Sequence, residues 1–510
     1  MAFNMVSPWE LVVVTEAEDR LGVGSGFRHW VKTLFARDGF RQSLLVASGH
    51  GFGLIIVFVR NLIVARLLGP QEFGVAATLA MLITSVELAS DMSWDKMIVQ
   101  SDKGFRRSFV NTAHLLAVLR AGLMAIALFL LAHPLALAFD VPDAAIAYQL
   151  LAVAVLIKGF GHLDMKRYHR RAHYAPEVWV SLSSRFVSLV VAIICAYWWQ
   201  DYRAMLVAIF SQAIIYVLMT HIVAHRPYGY RWNRSVLIEM LIFGWPLLIN
   251  GWLILAASEG GKFIVGMTLS MVELSIFSVA VAVLGAPVGV LNKVILDLWL
   301  PRLSRARQRQ SGRDEKGKWD GFEVLHATLG RITVGTGLVV GIAATLLGTH
   351  VVAWLYGDEF AGPGALIGWL SVAYGSRLIR TWPNVTAIAL GQTADVMYAN
   401  ITRLLGLILA MASLQVGVSM IYIAASLAIG EVIATLFCLF LATRNLARSF
   451  WSDWGLYLIF IIAMAACGLA MPFLVGSGLV IIIMSLLAVL SFAMALLVLP
   501  VFWFGSRSSL

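Results

Sequence analysis

Charged residues are scarce in this chain: 13% of its 510 residues are Asp, Glu, Lys or Arg, against 60% hydrophobic, and mean hydropathy is +0.84. A soluble domain could not hide that much apolar surface, so the chain reads as a polytopic membrane protein. Cysteine is nearly absent. Cys195, Cys438 and Cys467 all sit inside apolar runs without metal or redox spacing, which leaves them as small hydrophobes. No His/Cys/Asp cluster has metal-ligand spacing. There is no ATP-binding motif, and the run Gly49-His-Gly51-Phe-Gly53 follows no strand, so it is no nucleotide loop. No bound cofactor is expected. Acidic residues are the rarer sign, 28 against 38 basic, for a net charge of +10. In a soluble chain that excess would point to nucleic acid. In a membrane chain it belongs to cytoplasmic loops, and no nucleic-acid partner is expected. Residues 1–42 lack a basic region followed by an apolar core and are interrupted by Glu16, Glu18 and Asp19, so they read as a cytoplasmic tail and not as a cleavable signal. Residues 27–40 fit an amphipathic helix on the membrane surface or a plain juxtamembrane linker.

What is present is a succession of apolar runs: 43–66, 72–98, 110–138, 144–164, 177–199, 203–224, 236–258, 264–298, 324–355, 363–389, 396–417, 419–443, 455–475 and 478–504. That makes about fourteen spans, each near or above the roughly 20 residues needed to cross a bilayer. The eighth is long enough to extend past the membrane or to break at Pro287. With a cytoplasmic N-terminus, Lys103, Arg106 and Arg107, then Lys166, Arg167, Arg170 and Arg171, then the basic loop 301–323 all fall on the cytoplasmic side. Asp140, Asp143, Asp358 and Glu359 fall opposite. This bias places both termini in the cytoplasm.

A segment of the first half recurs at an offset of 201 residues: Ile63 matches Ile264, Val64 matches Val265, Leu68 matches Leu269 and Glu72 matches Glu273. Further on, 114–120 resembles 326–331, and 138–143 occupies the place of 354–359. The reading is an all-α membrane protein with two pseudo-symmetric six-helix lobes, 43–235 and 236–443, and two further helices in 444–510. Six is even, so the lobes share orientation about an axis along the membrane normal.

Ionisable groups inside spans normally face a bundle interior or an aqueous cavity. The basic candidates are Arg60, Arg120, Lys262, Arg331, Arg377, Arg380, Arg403 and Lys293, with Arg185 and Lys158 beside them. Arg60, Lys262 and Lys293 lie near span ends, where snorkelling to the interface is an alternative. Arg377 and Arg380 share a helix face. Arg403 is also open to a structural role beside a carboxylate. Glu87, Asp91 and Asp95 recur every four residues, which puts them on one helix face, as ion-coupling groups or as salt-bridge partners, Asp91 for Arg120. Pro246 and Pro287 are candidate hinges. Gly51 belongs to a glycine run that permits close packing or bending.

The segment Arg60-Asn-Leu-Ile-Val-Ala-Arg66-Leu-Leu-Gly69-Pro70-Gln-Glu-Phe-Gly74, followed by Glu87-Leu-Ala-Ser-Asp91-Met-Ser-Trp94-Asp95-Lys-Met-Ile-Val-Gln100, resembles the start of bacterial polysaccharide transporters, the Wzx-type flippases for lipid-linked oligosaccharides. Phe243-Gly-Trp-Pro246-Leu-Leu, Trp299-Leu-Pro301-Arg-Leu-Ser304 and Tyr356-Gly-Asp-Glu-Phe360 agree in the second half. The likeness spans about 43–443 and departs at 266–272, where the second half lacks the Leu-Gly-Pro turn. It implies a non-enzymatic transporter in the bacterial inner membrane that moves a polyprenyl-diphosphate-linked oligosaccharide to the outer leaflet for surface polysaccharide assembly. It further implies alternating access through a positively charged cavity. Membrane lipids, a polysaccharide polymerase and chain-length or export proteins would be its partners. Arg120 is then the first choice for the deep diphosphate anchor and Arg60 for an outer gate paired with Glu72. The same superfamily holds cation-coupled drug extruders, which would prefer acidic and aromatic cavity groups. A membrane glycosyltransferase or polysaccharide ligase would need catalytic loops that this chain lacks.

Overall fold

A computed structural model describes residues 38–170, 173–310, 320–446 and 450–474. The described residues contain helices and turns and no strand. The expected fourteenth span, 478–504, and residues 1–37 lie outside them.

The first helix, α1 (Asp38–Ser90), bends at Gly69, whose φ of 73° is a left-handed conformation that glycine adopts without a Cβ clash. Pro70 follows, so the Leu-Gly-Pro turn divides α1 into two antiparallel arms. The second arm ends at Ser90 and does not run on to 98 as the apolar pattern predicts. Asp91 accepts hydrogen bonds from the Ser93 amide at 2.8 Å and the Ser93 hydroxyl at 3.2 Å. That local turn competes with helix, and Ser93 takes a φ of 49°. A short helix α2 (Trp94–Gln100) then begins. Glu87, Asp91 and Asp95 therefore do not share one helix face, which corrects the spacing argument.

The first half continues with α3 (Arg107–Ala138), α4 (Ala145–Gly159), the short α5 (Met165–His169), α6 (Ala175–Trp199) and α7 (Arg203–Val223). The second half repeats the order with α8 (Arg234–Thr268), α9 (Met271–Gln310), α10 (Asp320–Tyr356), α11 (Gly364–Ala389), α12 (Thr393–Ser413) and α13 (Met420–Leu446), and α14 (Phe450–Leu474) follows. A 3-10 turn follows α3 at Pro142–Ala144, and another follows α10 at Asp358–Phe360. The boundary between α8 and α9 falls at Leu269 and Ser270, so Glu259 and Lys262 lie inside α8 and not in a loop. Helix α9 passes through Pro287 and Pro301 without interruption, so of the two alternatives for this span the structure has the long continuous helix. Helix α8 likewise continues past Pro246.

Ten of the described helices are long and apolar enough to cross a membrane, with bent α1 counted once. α11, which carries Arg377 and Arg380, is not among the ten despite its 26 residues. Large apolar side chains such as Leu130, Trp198 and Ile222 are exposed, as on a protein whose solvent is lipid. The chain is a multi-pass membrane protein.

Helices α1, α3, α4, α6 and α7 pack together, and α9 to α13 form a second group, with α14 against α10. Lipid gives helices little hydrophobic reason to associate, so small residues and close packing hold such bundles. At the closest approach of α12 and α13, a Cβ on Gly430 would fall 2.5 Å from the Gly406 Cα. The two groups meet where α1 packs on α9, with Gly74 against the Met271 backbone, and around Gly69 and Gly357. There Phe73 lies edge-on to Phe360 with centroids 5.9 Å apart, Phe58 to Tyr356 at 6.2 Å, and Arg66 Nη2 donates to the Trp354 carbonyl at 2.5 Å. Helix α8 belongs to both lobes. Its first half rests on the N-terminal lobe, where Trp94 Nε1 donates to the Met240 carbonyl at 3.1 Å and Trp252 Nε1 to the Ala89 carbonyl at 2.8 Å. Gly260 and Gly261 pack against Leu407 and Leu427 of the C-terminal lobe.

Candidate functional site

Among the described residues, three cavities have charged side chains on their walls. The central one, about 240 Å³, is bounded by both arms of α1, by α8 and by α9, and it is lined by Arg60, Asn61, Glu259 and Lys262 among others. Arg60 is 7% exposed. Its Nη1 donates to Ser188 Oγ at 2.9 Å and Gln212 Oε1 at 3.2 Å, and Asn61 Oδ1 lies 3.4 Å from both Nε and Nη2. These partners are neutral, so the guanidinium keeps its full charge toward the cavity. The expected partner Glu72 is engaged elsewhere, accepting from the Tyr202 amide at 3.2 Å. Lys262 pairs with Glu259 one helical turn earlier, at 2.8 Å. The cavity thus holds one more positive than negative group.

The second cavity, about 540 Å³, lies inside the N-terminal lobe and is lined by Glu87, Asp91, Arg120, Lys158, Arg185, Gln212 and Tyr216. Arg120 Nη1 donates to the Ser90 carbonyl at 3.1 Å, and its guanidinium sits 5.9 Å from the Trp94 ring centroid. No Asp91–Arg120 ion pair occurs among the described residues. Glu87 instead pairs with Lys158, and Asp95 with Lys166 at 3.2 Å, outside this cavity. Gln212 lines this cavity while accepting from Arg60, so Arg60 stands at the wall between the first two cavities. The absence of a side chain at Gly53 makes room for Arg185, since a Cβ there would lie 2.2 Å from its Nη1. Gly51 has open space beside it and is not a packing contact.

The third cavity is small, about 40 Å³, and lies in the C-terminal lobe between Lys262, Tyr374, Arg377, Arg403 and Glu431. Three arginines converge on one carboxylate. Arg377 Nη2 and Arg403 Nη2 lie 2.7 and 2.8 Å from Glu431 Oε1, and Arg380 Nη2 lies 3.2 Å from Oε2. Arg331 is exposed on α10, and Lys293 pairs with Asp297 at 3.2 Å on the exposed side of α9. Neither lines any of the three cavities.

Sequence reasoning missed Ser188 and Gln212 as the partners of Arg60. They stand 128 and 152 residues away in apolar helices, and no spacing marks them. It also missed Glu431 as the centre of an arginine cluster. Two histidines sit close together at the end of the N-terminal lobe: His114 Nε2 accepts from the Leu163 amide at 3.0 Å, and its ring lies 4.8 Å from that of His162. Among the described residues no group of acidic, histidine or cysteine side chains has the arrangement of a metal site.

A family model described as polysaccharide biosynthesis protein matches residues 63–318, half of the chain. No curated protein sequence matches significantly. Solved structures share the fold. An inward-facing multidrug resistance MATE family transporter of the MOP superfamily superposes with a TM-score of 0.65 at 11% identity, over 78% of this chain and 94% of that one. The lipid II flippase MurJ, in an inward closed conformation, does so with a TM-score of 0.64 at 13% identity, over 83% and 98%. A eukaryotic MATE transporter gives 0.56 at 13% identity, over 84% and 99%. At these identities the likeness speaks for the fold alone. The family match runs from the first arm of α1 beyond the end of α9 and takes in Glu87, Asp91, Arg120, Glu259 and Lys262, so that the helices building the central cavity carry it. This chain belongs to the polysaccharide biosynthesis protein family.

Proposed function

We propose that the protein is a flippase that carries a polyprenyl-diphosphate-linked oligosaccharide from the cytoplasmic to the outer leaflet of a bacterial inner membrane. The observation that carries this reading is the placement of Arg60 and Lys262 on one cavity, from the first helices of the two lobes. A diphosphate is the costliest part of such a substrate to move through hydrocarbon, and buried cations offset that cost. Arg60 is held by neutral partners, so its charge stays available to an anion. An arginine also presents a planar fork that suits phosphate oxygens. The glycan needs polar surroundings, and the N-terminal cavity, with Arg120, Gln212 and Tyr216 on its wall, supplies them next door. The lipid tail can remain in the bilayer.

The positive loops favour both termini in the cytoplasm. In that orientation the lobe contacts around Gly69 and Gly357 close the outer side, and loading takes place from the cytoplasm. Transport then requires those contacts to part while the cytoplasmic ends approach. Helix α8, which packs on both lobes, is the element that has to bend, and Pro246 within it has no N–H to donate to the helix ladder. Glu87 and Asp95 are salt-bridge partners in this scheme and Asp91 is a turn-forming residue. The alternative of a cation-exporting drug transporter of the same fold is disfavoured by the basic excess around the central cavity. The reading is tested by deleting the gene. Lipid-linked glycan should accumulate in the cytoplasmic leaflet, and Arg60→Ala should reproduce the accumulation. Normal surface polysaccharide in the deletion strain would refute it.

A further inference from the structure

We propose that the arginine cluster of the C-terminal lobe is a binding site for a small monovalent anion of chloride size, distinct from the substrate cavity. The argument starts from charge. Arg377, Arg380 and Arg403 converge on Glu431, which is the one carboxylate within 4 Å of any of the three among the described residues. Lys262, at the edge of the same cavity, is already balanced by Glu259. Two positive charges are therefore left without a close counter-charge where α11, α12 and α13 pack together. An isolated lysine can escape such a position by releasing its proton. A guanidinium cannot, so the compensation must come from an added anion.

The hydrogen bonding agrees. Glu431 Oε1 is crowded, receiving Arg377 Nε at 3.0 Å and Nη2 at 2.7 Å and Arg403 Nε at 3.0 Å. The remaining contacts of Arg403 are long, 3.4 Å to Asn400 Oδ1 and 3.5 Å to the Ala257 carbonyl. Arg380 is 5% exposed and backs the cluster without lining the cavity; it adds its charge there and no donor to the cavity wall. Size then selects the ligand. The cavity against Arg377 and Arg403 measures about 40 Å³. It has room for a water or a halide, whereas a diphosphate with its ester substituents needs several times that space. Tyr374 closes one side, its ring 4.8 Å from the Arg377 guanidinium carbon.

The inference stands independently of the flippase reading and is tested on the purified full-length protein in detergent. Thermal unfolding is followed while sodium gluconate is exchanged for sodium chloride at constant ionic strength, and chloride binding is read in parallel from 35Cl line broadening. Chloride and bromide should each raise the unfolding temperature saturably. Pyrophosphate at equal ionic strength should not displace the bound chloride. Arg377→Gln and Arg403→Gln should each weaken the chloride effect by about tenfold or more, the loss expected on removing one charged partner. Each variant still leaves Glu431 two arginines, so folding is retained. Arg203→Gln, at the exposed start of α7, should titrate like the parent. The proposal is overturned by the absence of a chloride-specific shift and broadening in the parent protein, by unchanged titrations in both cluster variants, or by pyrophosphate competing for the site, which would assign the cluster to the substrate's phosphates.

Discussion

Arg60 and Lys262 line the same cavity, one from the first helix of each lobe. They differ in how they are held. Arg60 is fixed by Ser188, Gln212 and Asn61, all neutral, and Lys262 is fixed by Glu259. In the repeat they stand one residue out of register. Each also touches a second cavity: Arg60 through Gln212 the one in the N-terminal lobe, Lys262 directly the one in the C-terminal lobe. The central cavity is thus where the charge of both lobes is presented to a common occupant.

Glu431 should be the most sensitive carboxylate for stability. Replacing it by Gln leaves buried Arg380 and partly buried Arg377 and Arg403 without their shared carboxylate, and losing one partner of a buried ion pair costs about 3 kcal/mol or more. Glu431→Gln should therefore lower the unfolding temperature strongly, and adding Arg403→Gln should restore part of the loss. A Glu431→Gln protein as stable as the parent would show that the cluster is not held by charge.

Two glycines should respond in opposite ways to Ala. At Gly430 the new Cβ would meet the backbone of Gly406 at 2.5 Å, and backbone cannot yield, so α12 and α13 must separate. Overpacking of this kind costs about 1–3 kcal/mol. At Gly51 nothing lies within 4 Å. Gly51→Ala should leave stability unchanged or raise it by about 0.5–1 kcal/mol, the usual helix preference for Ala. If it nevertheless slows transport, Gly51 acts in bending. Thermal unfolding of both variants checks the contrast.

Acid should destabilise the turn between α4 and α5. Burial pushes the pKa of His162 below its usual 6.5, against the opposing pull of the Arg226 carbonyl and Asp164. The folded form therefore binds this proton less readily than the unfolded chain, and its stability falls as pH drops below about 6.5. Unfolding temperatures between pH 8 and pH 5 should decline for the parent and decline less for His162→Gln. Equal slopes would remove His162 as the source.

Locking the closed end should stop transport. Arg66 and Trp354 are both exposed and touch across the lobe boundary. A short thiol crosslinker between Arg66→Cys and Trp354→Cys should abolish flipping, and cleavage of the crosslink should restore it. Full activity in the crosslinked protein would exclude separation of these ends.

Much of the fold was legible in the sequence because membrane helices are written as long apolar runs. The Gly69-Pro70 turn was legible too, since its geometry needs those two residue types. The end of α1 at Ser90 was not: Asp91 and Ser93 look like polar members of a helix face until their mutual hydrogen bonds are seen. The pairings were hidden for another reason. Arg60 meets Ser188 and Gln212, and Arg377 meets Glu431, through packing of distant helices, and residue spacing carries no record of that. Arg120 was misassigned to Asp91 because similar depth in adjacent spans was the one guide available. Lys293 and Arg331 were included as interior cations, yet they line none of the three cavities with charged walls, because charge within an apolar run does not say which way the residue faces.

The central claim is tested most directly by measuring leaflet-to-leaflet transfer of a polyprenyl-diphosphate-linked glycan in proteoliposomes containing the purified protein. The parent protein should move the lipid, and Arg60→Ala and Lys262→Ala should each slow it by about tenfold or more, as expected for loss of a buried charge-assisted contact. Transfer at the parental rate in both variants would contradict the account.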